Sequence, residues 1–221
     1  KQQVEAQKEQ DKLRESLEDL KKDSSIKKNE YNQKIAKSNS LVEKYRNIAK
    51  QAVDYILEHE REMPEGSVVW DFIGGEPFLE IDLIDQLCDY IKKQMYIKNH
   101  HWFNSYRFSF STNGINYGNG KVQNFISKNK KHLSIGITID GTEIKHDLNR
   151  VYKGSGKGSY KDVVKNIPLW LREFPNAGTK VTISSADIPY IKESVLHLYS
   201  LGIHEVNINC VFENTWKEGD D

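Results

Sequence analysis

The chain has 221 residues, and its 32 Lys and Arg are balanced by 32 Asp and Glu, so the formal charge is zero. That balance excludes a basic footprint for nucleic acid or a polycationic tail for an anionic membrane, and no apolar run approaches the roughly 20 residues a membrane span requires. With no apolar signal-peptide core the default is a cytoplasmic protein, and two cysteines so far apart in sequence, Cys88 and Cys210, read as small buried residues rather than a disulfide framework or metal knuckle.

Residues 1–40 are dominated by Lys, Glu, Gln, Asp and Asn. Leu13, Leu17 and Leu20 have helical spacing, but no heptad is sustained, so the segment reads as a polar helix or two with a break near Asp23-Ser24-Ser25: a charged helical insertion or linker. From Leu41 the character changes. Leu41, Tyr45, Ile48, Ala49, Ala52, Val53, Ile56 and Leu57 recur at three and four, the pattern of a helix packed on a sheet. Met63-Pro64-Glu65-Gly66 stops it and turns the chain into a strand from Val68.

Strand and helix then alternate. The second amphipathic helix runs over 81–97 with Ile81, Ile84, Leu87, Cys88, Ile91 and Met95 facing inward. A strand around Phe108, a short helix over 122–128 and a strand around Ile135 follow; the near-continuous apolar run of the last suits a strand covered on both faces. Residues 141–160 form a polar stretch, long enough for a loop or lid pivoting on Gly154, Gly156 and Gly158. Tyr160 to Phe174 is a helix kinked by Pro168; a strand over 180–184, a helix over 191–201 and a strand over 205–212 complete the series. An α/β fold with a parallel sheet curling into a full or partial barrel is the expectation. The chain begins with Lys and ends without a packed terminating element, so it reads as a piece of something longer.

Chemistry concentrates at the ends of these strands. The first runs into Gly74-Gly75-Glu76-Pro77, where two residues without a Cβ let the backbone approach a ligand and Glu76 is offered at the strand's C-terminal end, where β/α folds bind ligands. The next two end in Ser111-Thr112-Asn113-Gly114 and Thr138-Ile139-Asp140-Gly141. An ordinary capping or Asx-turn role remains open for each polar residue. His100-His101-Trp102 has no further His at ligand spacing and reads as surface or edge packing.

Taken in order with His146-Asp147-Leu148-Asn149-Arg150 and Gly156-Lys157-Gly158-Ser159-Tyr160, these motifs resemble the radical S-adenosylmethionine (SAM) enzymes of the branch carrying a SPASM-type domain. Trp70 to Pro77, His100 to Tyr106, Val211-Phe212-Glu213-Asn214 and Trp216 to Asp220 look more narrowly like the maturases that act on Cys-repeat target peptides. The resemblance covers residues 41–221 and implies a partial (β/α)6 barrel whose first strand is missing. It further implies SAM and a [4Fe–4S] cluster as cofactors, a ribosomally made precursor peptide as substrate, and a flavodoxin- or ferredoxin-type electron donor. SAM would be cleaved reductively to a 5′-deoxyadenosyl radical that takes a hydrogen from the peptide, forming thioether or related crosslinks at Cys.

By the same resemblance Gly74, Gly75, Glu76 and Pro77 match the motif that receives the SAM ammonium. Ser111, Asn113, Thr138 and Asp140 match polar positions near the ribose and methionyl carboxylate, and Arg150 is the expected carboxylate contact, with Thr138 standing where Ser is common. The Cys-x-x-x-Cys-x-x-Cys loop of the family is not in this sequence, so the chain alone is expected to be inactive, with the cluster ligands upstream. Two alternatives stay open: a cluster-free relative that binds SAM or peptide without chemistry, and an ordinary β/α-barrel lyase or aldolase, which would want a Lys or metal ligands at strand ends.

Overall fold

The computed structural model describes residues 2–59, 65–212 and 216. The stop at Met63-Pro64 and most of the closing motif after Phe212 lie outside the described residues. Two compact units are present, dividing between Tyr55 and Ile56.

The described residues of the first unit are all helical. Helix α1 (Gln2–Glu58) runs without interruption through Ser40, where the sequence places a boundary, and through Asp23-Ser24-Ser25, where it places a break. Serine costs only about 0.5 kcal/mol more than alanine in a helix interior. Lys27 returns part of that by donating to Asp23 at 2.7 Å one turn away. Leu41, Tyr45 and Ile48, expected to be covered, are exposed, whereas Val53 and Leu57 are buried. Periodicity reports which face of a helix is apolar, not what lies opposite it.

The second unit is built from parallel strands: β1 (Val68–Phe72), β2 (Tyr106–Thr112) and β3 (Leu133–Ile137) in that order, then β4 (Thr179–Ile183) beside β5 (Val206–Cys210). A parallel bridge from Thr138 to Lys180 joins the two groups. In register, Asp71 lies beside Ser109 and Ser109 beside Ser134, while Val181 lies beside Ile208. Between the strands run α2 (Ile81–Ile97), α3 (Gly120–Asn129), α4 (Glu143–Asn149), α5 (Tyr160–Val164), α6 (Ile167–Glu173) and α7 (Ile191–Ser200).

Strand side chains alternate between two faces. Phe108, Phe110, Leu133, Ile135, Ile137 and Val181 are buried, under Ile91 and Met95 of α2, Phe125 of α3 and Trp170 of α6, whose indole N–H donates to the Ile135 carbonyl at 2.8 Å. Each such aliphatic or aromatic side chain contributes roughly 2 kcal/mol on burial. The other face is polar: Asp71, Ser134, Lys180 and Asn207 are exposed there, and Ser109, Ser111 and Thr182 half-buried. The expectation that β3 is covered on both faces is therefore corrected. Its Leu133, Ile135 and Ile137 share one side, so the strand is amphipathic. Cys210 is also corrected, from buried to exposed, because no described strand flanks β5 on its far side.

The polar stretch after β3 is not all loop. Thr142 caps α4, its hydroxyl accepting from the Lys145 N–H, and the buried face of that helix is Lys145 and His146. A hydrophobic period cannot reveal such a helix. Where one kinked helix is expected over 160–174 there are two, and Pro168 falls in the first turn of α6, where its missing N–H costs nothing. Asn166 at the junction donates to the Gly114 carbonyl at 2.8 Å, tying it to the end of β2.

Candidate functional site

The turn after β1 needs its glycines for conformation rather than space. Gly74 and Gly75 have φ of +90° and +55°, and a Cβ at either would meet nothing within 4 Å. The turn delivers Glu76 to the end of β2. There Oε1 accepts from the Thr112 hydroxyl at 2.6 Å and the Phe78 N–H at 3.1 Å, and Oε2 from the Asn113 N–H at 2.7 Å. A carboxylate has about four acceptor positions, so one remains for a ligand. Pro77 is buried at the start of the 3-10 turn that Glu76 caps. Thr112, not singled out in the sequence, is the residue that orients the acid.

The end of β3 carries a second network. Arg150, at the C-cap of α4, pairs through Nε and Nη2 with the carboxylate of Asp140, which is 3% exposed and also accepts from the Thr182 N–H at 2.9 Å. The Asp140 N–H donates to Nδ1 of the fully buried His146 at 3.2 Å. Nε2 of His146 therefore carries the proton and faces the Ser159 hydroxyl at 3.1 Å, which donates onward to the Arg150 carbonyl at 2.8 Å. One neutral imidazole thus braces both ends of the Asp140–Arg150 pair.

Burial pushes His146 down to about 4, with Asp140 opposing the shift and Arg150 adding to it. An unfolded histidine titrates near 6.5, so between these values the unfolded chain takes up a proton that the folded one refuses. The stabilisation is complete above pH ~6.5 and is lost as the pH falls toward 4, an effect of about 3 kcal/mol. Urea midpoints measured from pH 7 to pH 4 should fall more steeply for the wild-type chain than for His146→Asn, which keeps an acceptor for the Asp140 N–H but cannot titrate.

Glu76, Asn113 and Arg150 line one cavity of about 620 Å³, with Leu79, Asn149, Tyr152, Lys153 and Ser159 among its other walls. It lies beyond the ends of β1 and β2, walled on its other side by residues 149–153 at the end of α4. Asp140 stands behind it, reaching it through Arg150. Ser111 and Thr138 are elsewhere, on the polar sheet face, where Ser111 accepts from Lys180 at 2.9 Å and Thr138 bridges to the Lys180 backbone. Asn207 lies exposed on the same face. Trp102 and His100 are buried rather than at an edge, the indole N–H donating to the Glu65 carbonyl at 2.6 Å.

An acid with one open acceptor position, a guanidinium and several amides suit a zwitterionic amino-acid head group. They do not suit an iron–sulfur cluster, which needs thiolates. Among the described residues no three His, Cys, Asp or Glu side chains converge on a metal-sized site. Of the two cysteines, Cys88 is on the buried face of α2 with its thiol pKa pushed up by that burial, and Cys210 is exposed on β5.

The fold, a parallel β/α series with a ligand-sized cavity at its strand ends, is similar to that of a radical SAM enzyme. The chain superposes on the anaerobic sulfatase-maturating enzyme anSMEcpe, a radical SAM enzyme solved with bound AdoMet, with a TM-score of 0.64 and 20% identity over 78% of this chain and 44% of that one. The form with AdoMet and the Kp18Cys peptide matches with a TM-score of 0.62 and 18% identity, over the same shares. In sequence, the uncharacterized protein MJ0907 of Methanocaldococcus jannaschii is 28% identical over 166 residues, 74% of this chain and 51% of that protein. The chain thus spans about half the length of the relatives it matches. No protein-family model matches it.

Proposed function

We propose that this chain is the SAM-binding part of a radical SAM enzyme that modifies a ribosomally made peptide, with the [4Fe–4S] ligands supplied by residues outside it. One observation carries the reading: Glu76, Asn113 and Arg150, on three separate loops, meet around a single cavity at the strand ends. Similarity of fold to an enzyme solved with AdoMet and peptide supports it. Gly74, Gly75 and Pro77 shape the turn that presents Glu76 to the ligand's ammonium group. Asn113 supplies an amide beside it, Arg150, held by Asp140 behind it, forms the polar wall opposite, and Ser111 and Thr138 extend the hydrogen-bonding surface onto the open sheet face. Thioether formation at Cys, a flavodoxin- or ferredoxin-type donor and a cytoplasmic setting belong to the same proposal. Among the described residues no helix is long and apolar enough to cross a membrane.

Hydrogen abstraction following SAM cleavage belongs to the whole protein, since this chain does not hold the cluster ligands. Titration calorimetry of the chain with SAM is expected to show one-site binding that competes with S-adenosylhomocysteine. The full-length protein, reconstituted with iron and sulfide without oxygen and reduced, is expected to release 5′-deoxyadenosine. SAM binding without that product would favour the cluster-free relative, a reading that the two-cysteine composition keeps in play. No binding at all would remove both.

A further inference from the structure

Three charged side chains line the cavity: Glu76, Arg150 and Lys153. Glu76 is largely satisfied by its three donors, and Arg150 spends two of its nitrogens on Asp140. Lys153 forms no ion pair or hydrogen bond among the described residues. The donors to Glu76 are all neutral, so the cavity holds two charges without an ion-pair partner among the described residues, the Glu76 carboxylate and the Lys153 ammonium group, and Lys153 is its one cation not already paired.

Its position is set by the backbone. Residues 150–158 form a small hairpin closed by an antiparallel bridge between Val151 and Gly158. The Tyr152 N–H donates to the Lys157 carbonyl at 2.8 Å, the Gly156 N–H to the Tyr152 carbonyl at 3.0 Å, and the Tyr152 hydroxyl to Asp162 at 2.8 Å. Gly154 and Gly156, with φ of +99° and +67°, make the tip. Lys153 leaves this pinned base at the cavity while Glu76 approaches from the turn after β1. A dianionic phosphate would be repelled by Glu76; a head group bearing both an ammonium and a carboxylate would satisfy both residues.

We propose that Lys153 is the residue of this cavity that binds a ligand carboxylate, in place of Arg150, which is committed to Asp140. Identifying that carboxylate as the methionyl carboxylate of SAM rests on the function proposed above; an acidic side chain of a peptide is the other source.

The test uses the 221-residue chain, calorimetry with SAM and with decarboxylated SAM, and two variants, Lys153→Gln and Lys157→Gln. The second removes the same charge from the same hairpin at a residue that does not line the cavity. Lys153→Gln is expected to weaken SAM about 10-fold, the value of a charged hydrogen bond at a partly solvated site, and to leave decarboxylated SAM unchanged. Lys157→Gln should stay within about twofold. Equal weakening of both ligands, or of neither, overturns the proposal. If the wild-type chain binds no SAM, the proposed function fails and the peptide arm decides: Ala-Glu-Ala shifting the chain's NMR signals where Ala-Gln-Ala does not, with the difference lost in Lys153→Gln, upholds Lys153. Absence of that difference overturns it.

Discussion

Replacing Glu76 with alanine is expected to abolish SAM binding, weakening it more than about 100-fold, and to lower folding stability by about 3 kcal/mol. Both follow from one carboxylate. It accepts from the Thr112 hydroxyl and from the backbone N–H groups of Phe78 and Asn113, so its loss strands donors from two loops and uncaps the 3-10 turn behind Pro77. Its fourth acceptor position is the one proposed to receive the ligand ammonium. Glu76→Gln keeps the shape and one oxygen but turns an NH2 toward existing donors, so it should fall between wild type and alanine in both respects. Calorimetry with SAM and urea unfolding check the pair; an alanine variant with wild-type affinity would remove Glu76 from the site altogether.

The largest loss of stability is expected at a residue outside the cavity. Lys145 of α4 is 1% exposed, donates to the Thr182 carbonyl at 2.5 Å and lies 3.7 Å from a carboxylate oxygen of the equally buried Asp187. The other oxygen of Asp187 accepts from the backbone N–H and the hydroxyl of Ser184, at 2.7 and 2.8 Å. Lys145→Met matches the volume but leaves an uncompensated buried carboxylate, at a cost of about 3–5 kcal/mol. Adding Asp187→Asn removes that charge while keeping an oxygen for Ser184, and should recover most of the loss. Urea midpoints of the two single variants and the double variant measure the coupling. Purely additive losses would show that the ion pair is not what holds α4 to the loop after β4.

Much of the scaffold is legible in the sequence because it follows from local chemistry. The apolar repeat of Ile81, Ile84, Cys88, Ile91 and Met95 predicts α2, and the helix observed is Ile81–Ile97. The turn at Gly74-Gly75 and the polar end of β2 announce the place of the cavity that Glu76 and Asn113 line. Helix α4 was hidden because its buried positions are a lysine and a histidine, and the break expected in α1 did not occur because two serines are too weak to end a helix.

By itself, then, the sequence determined the alternation of strand and helix, the parallel sheet and the polar residues that close its strands, since periodicity and turn chemistry act over a few residues. Only the tertiary structure decided how those residues are spent. Asp140 meets Arg150 and the Thr182 N–H, Lys145 meets Asp187, and Lys153 is left over, because these outcomes depend on distances between loops up to 42 residues apart. A charge becomes available to a ligand only when no nearer partner has taken it, and which partner is nearer is a property of the folded chain.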